Sequence, residues 1–282
     1  MSQTPSQTPS QSRVRRPETE PPGITYDRFR AAALLERVRK RLDLKRVIEV
    51  PSTAAKACPS LYSVSLAMAG VDVTLVNPFP PAFEGWRRLG VAGRLSSVQA
   101  RPDRLPFRAD SFDLAWNFVT LGREEALVPS LIEMTRVAPA VLLVQQNAYN
   151  VGYPWHRFLH WLFGLKWDHG HTRYFFPRTV SIEMNVAGLD RLEVGLLDQA
   201  PWPDPPGFRD VRLHFAGTQA HPEEDCDWTV PAVEYFRSGE FPGWMRFLGM
   251  VEELPVPLFV RWPVNHLFYV LGFRAGANVG PA

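Results

Sequence analysis

The stretch Leu105-Pro-Phe-Arg-Ala-Asp-Ser-Phe-Asp-Leu-Ala-Trp116 runs into a short apolar segment, Phe112–Trp116, that reads as a buried strand. Working outward from it, one alternation recurs. Upstream lie Arg46-Val-Ile-Glu-Val50, closed by Pro51, then Val71-Asp-Val-Thr-Leu-Val76, closed by Asn77-Pro-Phe-Pro-Pro81, then Leu95–Gln99. Downstream lie Ala140–Gln145, Leu192–Leu197 and Leu267–Phe273. Helical patterns over 61–69, 82–90 and 124–136 separate the first five of these runs. Strands alternating with helices predict a parallel sheet covered on both faces. A ligand would then lie beyond the carboxyl ends of the strands, where strand order reverses.

The chain has 282 residues, 45% of them hydrophobic and 21% charged, so it can build a core without disulfide or metal staples. A formal net charge of +2 removes the electrostatic argument for a nucleic-acid partner, and none is expected. Cys58 and Cys226 are the two cysteines, too few for a disulfide framework. With no apolar run long enough for a membrane span and no secretory leader pattern, a cytoplasmic location is expected. Residues 1–22 repeat Ser-Gln-Thr-Pro and read as a disordered tail. A helix follows from Thr25, with Tyr26, Phe29, Ala33, Val38 and Leu42 at helical spacing. Up to Arg46 there are eleven basic against five acidic side chains, which predicts a solvated basic face, with peripheral contact to anionic lipid as the alternative.

The order of elements and several local motifs resemble the class I S-adenosylmethionine-dependent methyltransferases, in particular the group acting on quinone-like, lipid and other small molecules. The resemblance rests on Leu105–Trp116, which is similar to the family's LPF-x-x-x-SFD passage, on Val47-Ile-Glu-Val50, and on His171-Thr-Arg-Tyr-Phe-Phe-Pro177 followed by Ala187-Gly-Leu189. It implies an α/β, doubly wound, mostly parallel seven-stranded Rossmann-like sheet with an antiparallel last strand. The core would span 23–200, an aromatic-rich insertion or cap 201–262, and the last strand with a C-terminal tail 263–282.

The resemblance also implies cofactor positions, and here the chain departs from the pattern. Where the family has alternating glycines after the first strand, this chain has Val50-Pro51-Ser52-Thr53-Ala54-Ala55. Pro51 fixes φ and removes a donor, while Thr53 and Ala55 add Cβ atoms where backbone should approach the ligand. Asn77 stands at the position of the ribose-binding carboxylate, Arg101 near the adenine position, and only Glu49 matches the acidic residue ending the first strand. Lost charge-assisted hydrogen bonds and left-handed backbone strain together amount to about 4–6 kcal/mol, or three to four decades of affinity. The expectation is weak or lost S-adenosylmethionine binding, and a pseudo-methyltransferase with a ligand-binding or partner-regulating role. The alternative is an active methyltransferase on an apolar or aromatic small molecule.

Four of the seven histidines lie between Tyr153 and His171. If catalysis is retained, His160, His171 and His156 are the candidate bases, Arg173 would stabilise an anionic group, and Asn117 would lie near the transferred methyl. His156 and His160 are four apart, and Asp168, His169 and His171 could complete a metal shell with them. The spacing lacks the H-E-x-x-H arrangement, however, so no metal is assigned. Aromatic residues crowd 149–167 and the later insertion, which suits a core or a lid over an apolar or aromatic small molecule. A protein partner or a lipid surface is the other use of such a face.

Overall fold

The computed structural model describes residues 19–53, 58–123, 127–167, 169–199, 211, 214–215 and 229–277. Seven strands form one sheet: β1 (Arg46–Glu49), β2 (Asp72–Val76), β3 (Leu95–Val98), β4 (Leu114–Phe118), β5 (Ala140–Gln146), β6 (Leu189–Gln199) and β7 (Asn265–Arg274). Their order across the sheet is β3-β2-β1-β4-β5-β7-β6. The first five pair in parallel, whereas β7 runs antiparallel to both β5 and β6. Order reverses between β1 and β4, which opens the crevice expected of such a sheet at their carboxyl ends.

Helices cover both faces, as buried parallel strands require. The described ones are α1 (Pro22–Leu42), α2 (Val64–Met68), α3 (Phe83–Arg88), α4 (Leu127–Val137), α5 (Gly152–Leu162), α6 (Pro177–Val186), α7 (Pro231–Ser238), α8 (Gly243–Glu252) and α9 (Leu258–Arg261). On one face Leu34 and Leu35 of α1, Leu66 of α2 and Trp86 of α3 meet Trp116 and Leu142. On the other, Leu131 and Met134 of α4 and Val180 and Met184 of α6 meet Ile48, Ala115 and Val141. Gly272 lets α6 approach β7 closely, since a Cβ there would stand 2.8 Å from Met184 Cε and 2.9 Å from Leu192 Cδ2.

The strand pattern read from the chain is present, with shifted ends. β4 begins at Leu114, because Asp113 turns its carboxylate to accept hydrogen bonds from the backbone N–H groups of Lys45 and Arg46, both at 2.7 Å. β6 starts at Leu189 rather than Leu192, because pairing continues along nearly all of β7. Two expectations for the N-terminal region change. Thr19 already bridges Thr229, and Glu20 is only 2% exposed. The basic helix is not simply solvated: Arg28 and Arg30 are buried, at 1% and 5% exposure. Most of 201–228 and the tail beyond 277 lie outside the described residues, whereas 231–262 carries α7, α8 and α9. No helix among the described residues is long and apolar enough to cross a membrane.

Candidate functional site

The carboxyl ends of β1 and β4 are joined by the Asn117 side chain. Its Nδ2 donates toward the carbonyls of Val50 (2.9 Å) and Pro51 (3.1 Å) and toward Thr120 Oγ1 (2.6 Å), while its Oδ1 accepts from the N–H groups of Thr120 and Leu121. Asn117 is fully buried, so the predicted neighbour of a reacting methyl is a backbone clamp. Past the buried Pro51, Ser52 donates its N–H to the Val76 carbonyl at 2.8 Å and pairs its hydroxyl with Ser60 at 3.1 Å. Thr53 is half-buried, and Ala55 lies outside the described residues.

Glu49 points into the protein interior. It accepts a 2.5 Å hydrogen bond from Ser63 Oγ, which in turn accepts from Trp116 Nε1 at 2.9 Å. Burial pushes the Glu49 carboxyl up to about 8, against the lowering effects of the Ser63 bond and the Arg28 charge. Arg28, from α1, donates to the Cys58 carbonyl at 2.7 Å and lies over the Tyr62 ring at 4.5 Å. Tyr62 stacks on Phe118 with centroids 4.0 Å apart. Protein side chains therefore occupy the space between the end of β4 and the chain leading into α2.

At the end of β2, Asn77 adopts φ +53, a left-handed conformation that asparagine tolerates better than most residues. Its Nδ2 donates to the Ala100 carbonyl (2.7 Å), and its Oδ1 accepts from the Ala100 N–H (2.9 Å). Both ends of the carboxamide are thus engaged by one peptide segment. Beside it, Gln99, Ala100, Arg101, Arg104, Leu105 and Pro106 line an open cleft of about 480 Å³. Arg101 is exposed and holds a two-pronged pair with Asp103, at 2.9 and 2.6 Å.

The histidines separate into two groups. His156 and His160 share one side of α5, which ends at Leu162 and is followed by Gly164 in the left-handed region. The chain then doubles back and brings His169 to them. Nε2 of His160 lies 3.1 Å from Nε2 of His156 and 3.3 Å from Nε2 of His169. His171 stands apart and exposed, its N–H donating to the Gly122 carbonyl at 2.8 Å. Arg173 is exposed, hydrogen-bonded to the Tyr174 hydroxyl and stacked on that ring. Asp168 lies outside the described residues.

Two features at the same edge of the sheet were not legible in the chain. His266, at the start of β7, places Nδ1 3.3 Å from Asp198 Oδ2 at the end of β6, with Asp27 of α1 nearby; both aspartates are about 1% exposed. Gln145, at the end of β5, is fully buried with neither side-chain polar atom hydrogen-bonded among the described residues. Gly122 makes room for it, since a Cβ there would stand 2.8 Å from Gln145 Oε1. Sixty-eight residues separate His266 from Asp198, so no local motif announces the pair.

No family model matches the chain, and no curated protein does. Solved structures do. The YcgJ protein of Bacillus subtilis aligns with TM-score 0.50 and 13% identity, over 88% of this chain and 99% of its own. The strand order, the antiparallel β7 and this superposition decide the architecture. The fold is that of the class I methyltransferases. A SAM-dependent methyltransferase of Thermotoga maritima also aligns, with TM-score 0.49 and 12% identity, over 89% of this chain and 92% of its own. At such identities the likeness is one of fold.

Proposed function

We propose that this chain is a pseudo-methyltransferase, a class I methyltransferase fold whose nucleoside crevice has been taken over by protein contacts and which serves a ligand-binding or partner-regulating role. The observation that carries this reading is the Asn77–Ala100 clamp. The carboxamide is held by Ala100 at 2.7 and 2.9 Å. It keeps one free N–H and one free lone pair, and lacks the negative charge and second acceptor oxygen with which a carboxylate grips a ribose diol. Glu49, bonded to Ser63, and the Arg28–Tyr62–Phe118 stack support the same reading. The pairing of Arg101 with Asp103 argues against a role for that arginine in recruiting an anion. An apolar or aromatic small molecule is the ligand class best suited to the aromatic surroundings of α5, and a protein partner or a lipid surface could use its outward side, where Trp161 is 75% exposed. Nucleic acid has no comparable support.

Calorimetric titration tests this. S-adenosylmethionine and S-adenosylhomocysteine should show no saturable binding in the micromolar range, and saturation there overturns the proposal. Asn77→Asp, alone or with Pro51→Gly, should not create binding. An aspartate cannot donate to the Ala100 carbonyl, so it should instead destabilise the chain by about 1–3 kcal/mol.

One observation favours the second reading, an active methyltransferase on an apolar or aromatic small molecule. The His266–Asp198 pair is a base held by a carboxylate, the arrangement that deprotonates an acceptor hydroxyl near neutral pH. On that reading His266→Ala abolishes turnover while leaving cofactor binding intact.

A further inference from the structure

Imidazole chemistry limits what three converging histidines can do. Each neutral ring carries one N–H and one bare nitrogen, and each nitrogen has a single in-plane proton or lone pair. Nε2 of His160 nevertheless faces two others, at 3.1 and 3.3 Å. One proton or one lone pair cannot serve both neighbours with good geometry. If all three rings were protonated, N–H groups would point at one another at these distances, with the Arg157 guanidinium close by, 4.6 Å from the Trp167 ring that contacts all three histidines. An anion bridging the rings would need the nitrogens further apart. A small cation would not: with metal–nitrogen bonds of about 2.0–2.1 Å, tetrahedral ligand nitrogens stand about 3.3 Å apart.

We propose that His156, His160 and His169 bind one divalent transition metal of the zinc class. One nitrogen from each ring already lies within 4.8 Å of the other two. The all-imidazole donor set suits zinc, nickel, copper and cobalt rather than magnesium or calcium, which prefer oxygen. Local structure prepares the site. The i, i+4 spacing on α5 aligns His156 and His160. The left-handed Gly164 turn returns the chain, and Trp167 Nε1 donates to the Gly170 carbonyl at 3.0 Å, closing the loop that presents His169. His160 is 5% exposed at the base of the trio, while His156 and His169 are half-buried at its rim. Three protein ligands leave a coordination position for water or a ligand. The metal would also pin the segment after α5 to that helix, above the carboxyl edge where the His171 N–H meets Gly122.

The test uses the full chain without an affinity tag, stripped by a chelator and titrated with cobalt(II). The expected result is one cobalt per chain, with the intense visible bands of a tetrahedral ion, displaced by zinc. Affinity should fall about 100-fold or more in His156→Ala and in His169→Ala, because even outer-shell losses cost 10–100-fold, and stay unchanged in the exposed His214→Ala. Absence of saturable uptake, or uptake equal in all three variants, overturns the proposal. If the ligand variants do not fold, diethyl pyrocarbonate labelling of the unaltered chain decides: zinc should protect the half-buried His156 and His169 but not the exposed His214, and equal labelling of His156 and His169 with and without zinc refutes the site.

Discussion

Glu49 shows how position changes the meaning of a residue. The chain alone places an acidic group at the end of β1, where the resemblance would have it meet a ligand. The structure instead removes it from water and satisfies it with Ser63. Its carboxyl is raised from 4.5 to about 8 by burial, so the folded protein holds a proton there that the unfolded chain releases at lower pH. The associated stability is complete below pH 4.5 and is lost as pH rises toward 8, at roughly 1.4 kcal/mol per pH unit. Glu49→Gln, which keeps the shape without the ionisation, should remove this part of the slope. Urea unfolding between pH 5 and 8 should show the variant gaining on the parent chain as pH rises, and parallel curves would contradict the assignment. Asn77 and Asn117 teach the same lesson. Asn77 was readable as a departure from a pattern and Asn117 as a polar residue just past the fourth predicted strand, but their hydrogen-bond partners, Ala100 and Val50–Pro51, depend on how adjacent strand ends meet.

α1 is the element that most changes the crevice. Its helical period was readable from Tyr26, Phe29, Ala33, Val38 and Leu42; of these the structure buries Tyr26 and Val38, together with Ala31, Leu34 and Leu35, and leaves Phe29, Ala33 and Leu42 half-buried. The fate of its arginines was not. Arg28 meets Glu20 at 2.7 Å, and Arg30 meets Glu252 of α8 at 3.0 Å, a residue that also accepts 2.6 Å from the Tyr26 hydroxyl. These pairs let α1 lower a guanidinium beside Tyr62. Removing one partner of a buried pair leaves an uncompensated charge, so Glu20→Ala should lower stability by about 3–5 kcal/mol. Chemical denaturation measures this, and a loss under 1 kcal/mol would mean that Arg28 is compensated elsewhere. The basic excess near the N-terminus thus divides between interior pairs and surface pairs such as Arg39 with Glu36.

Across the molecule, helices pack both faces of the sheet, while several apolar rings on α5, α8 and α9 stay in water. Phe158 and Trp161 on α5 are 44% and 75% exposed, and Phe247 on α8 and Phe259 on α9 are 60% and 76% exposed. Rings so exposed contribute little to folding. Phe158→Ser combined with Trp161→Ser should shift the unfolding free energy by no more than about 0.5 kcal/mol per site, and a larger loss would show that these rings are part of the core. The alternation of strand and helix, the buried strand runs and the missing glycines after β1 were all legible in the linear chain, because hydrophobic period and backbone freedom are local properties. The joining of His169 to His156 and His160, of Asp198 to His266, and of Glu20 to Arg28 came only with packing. Such contacts are set by where strand ends, returning loops and helix faces meet, and by the demand that each buried polar group find a partner there.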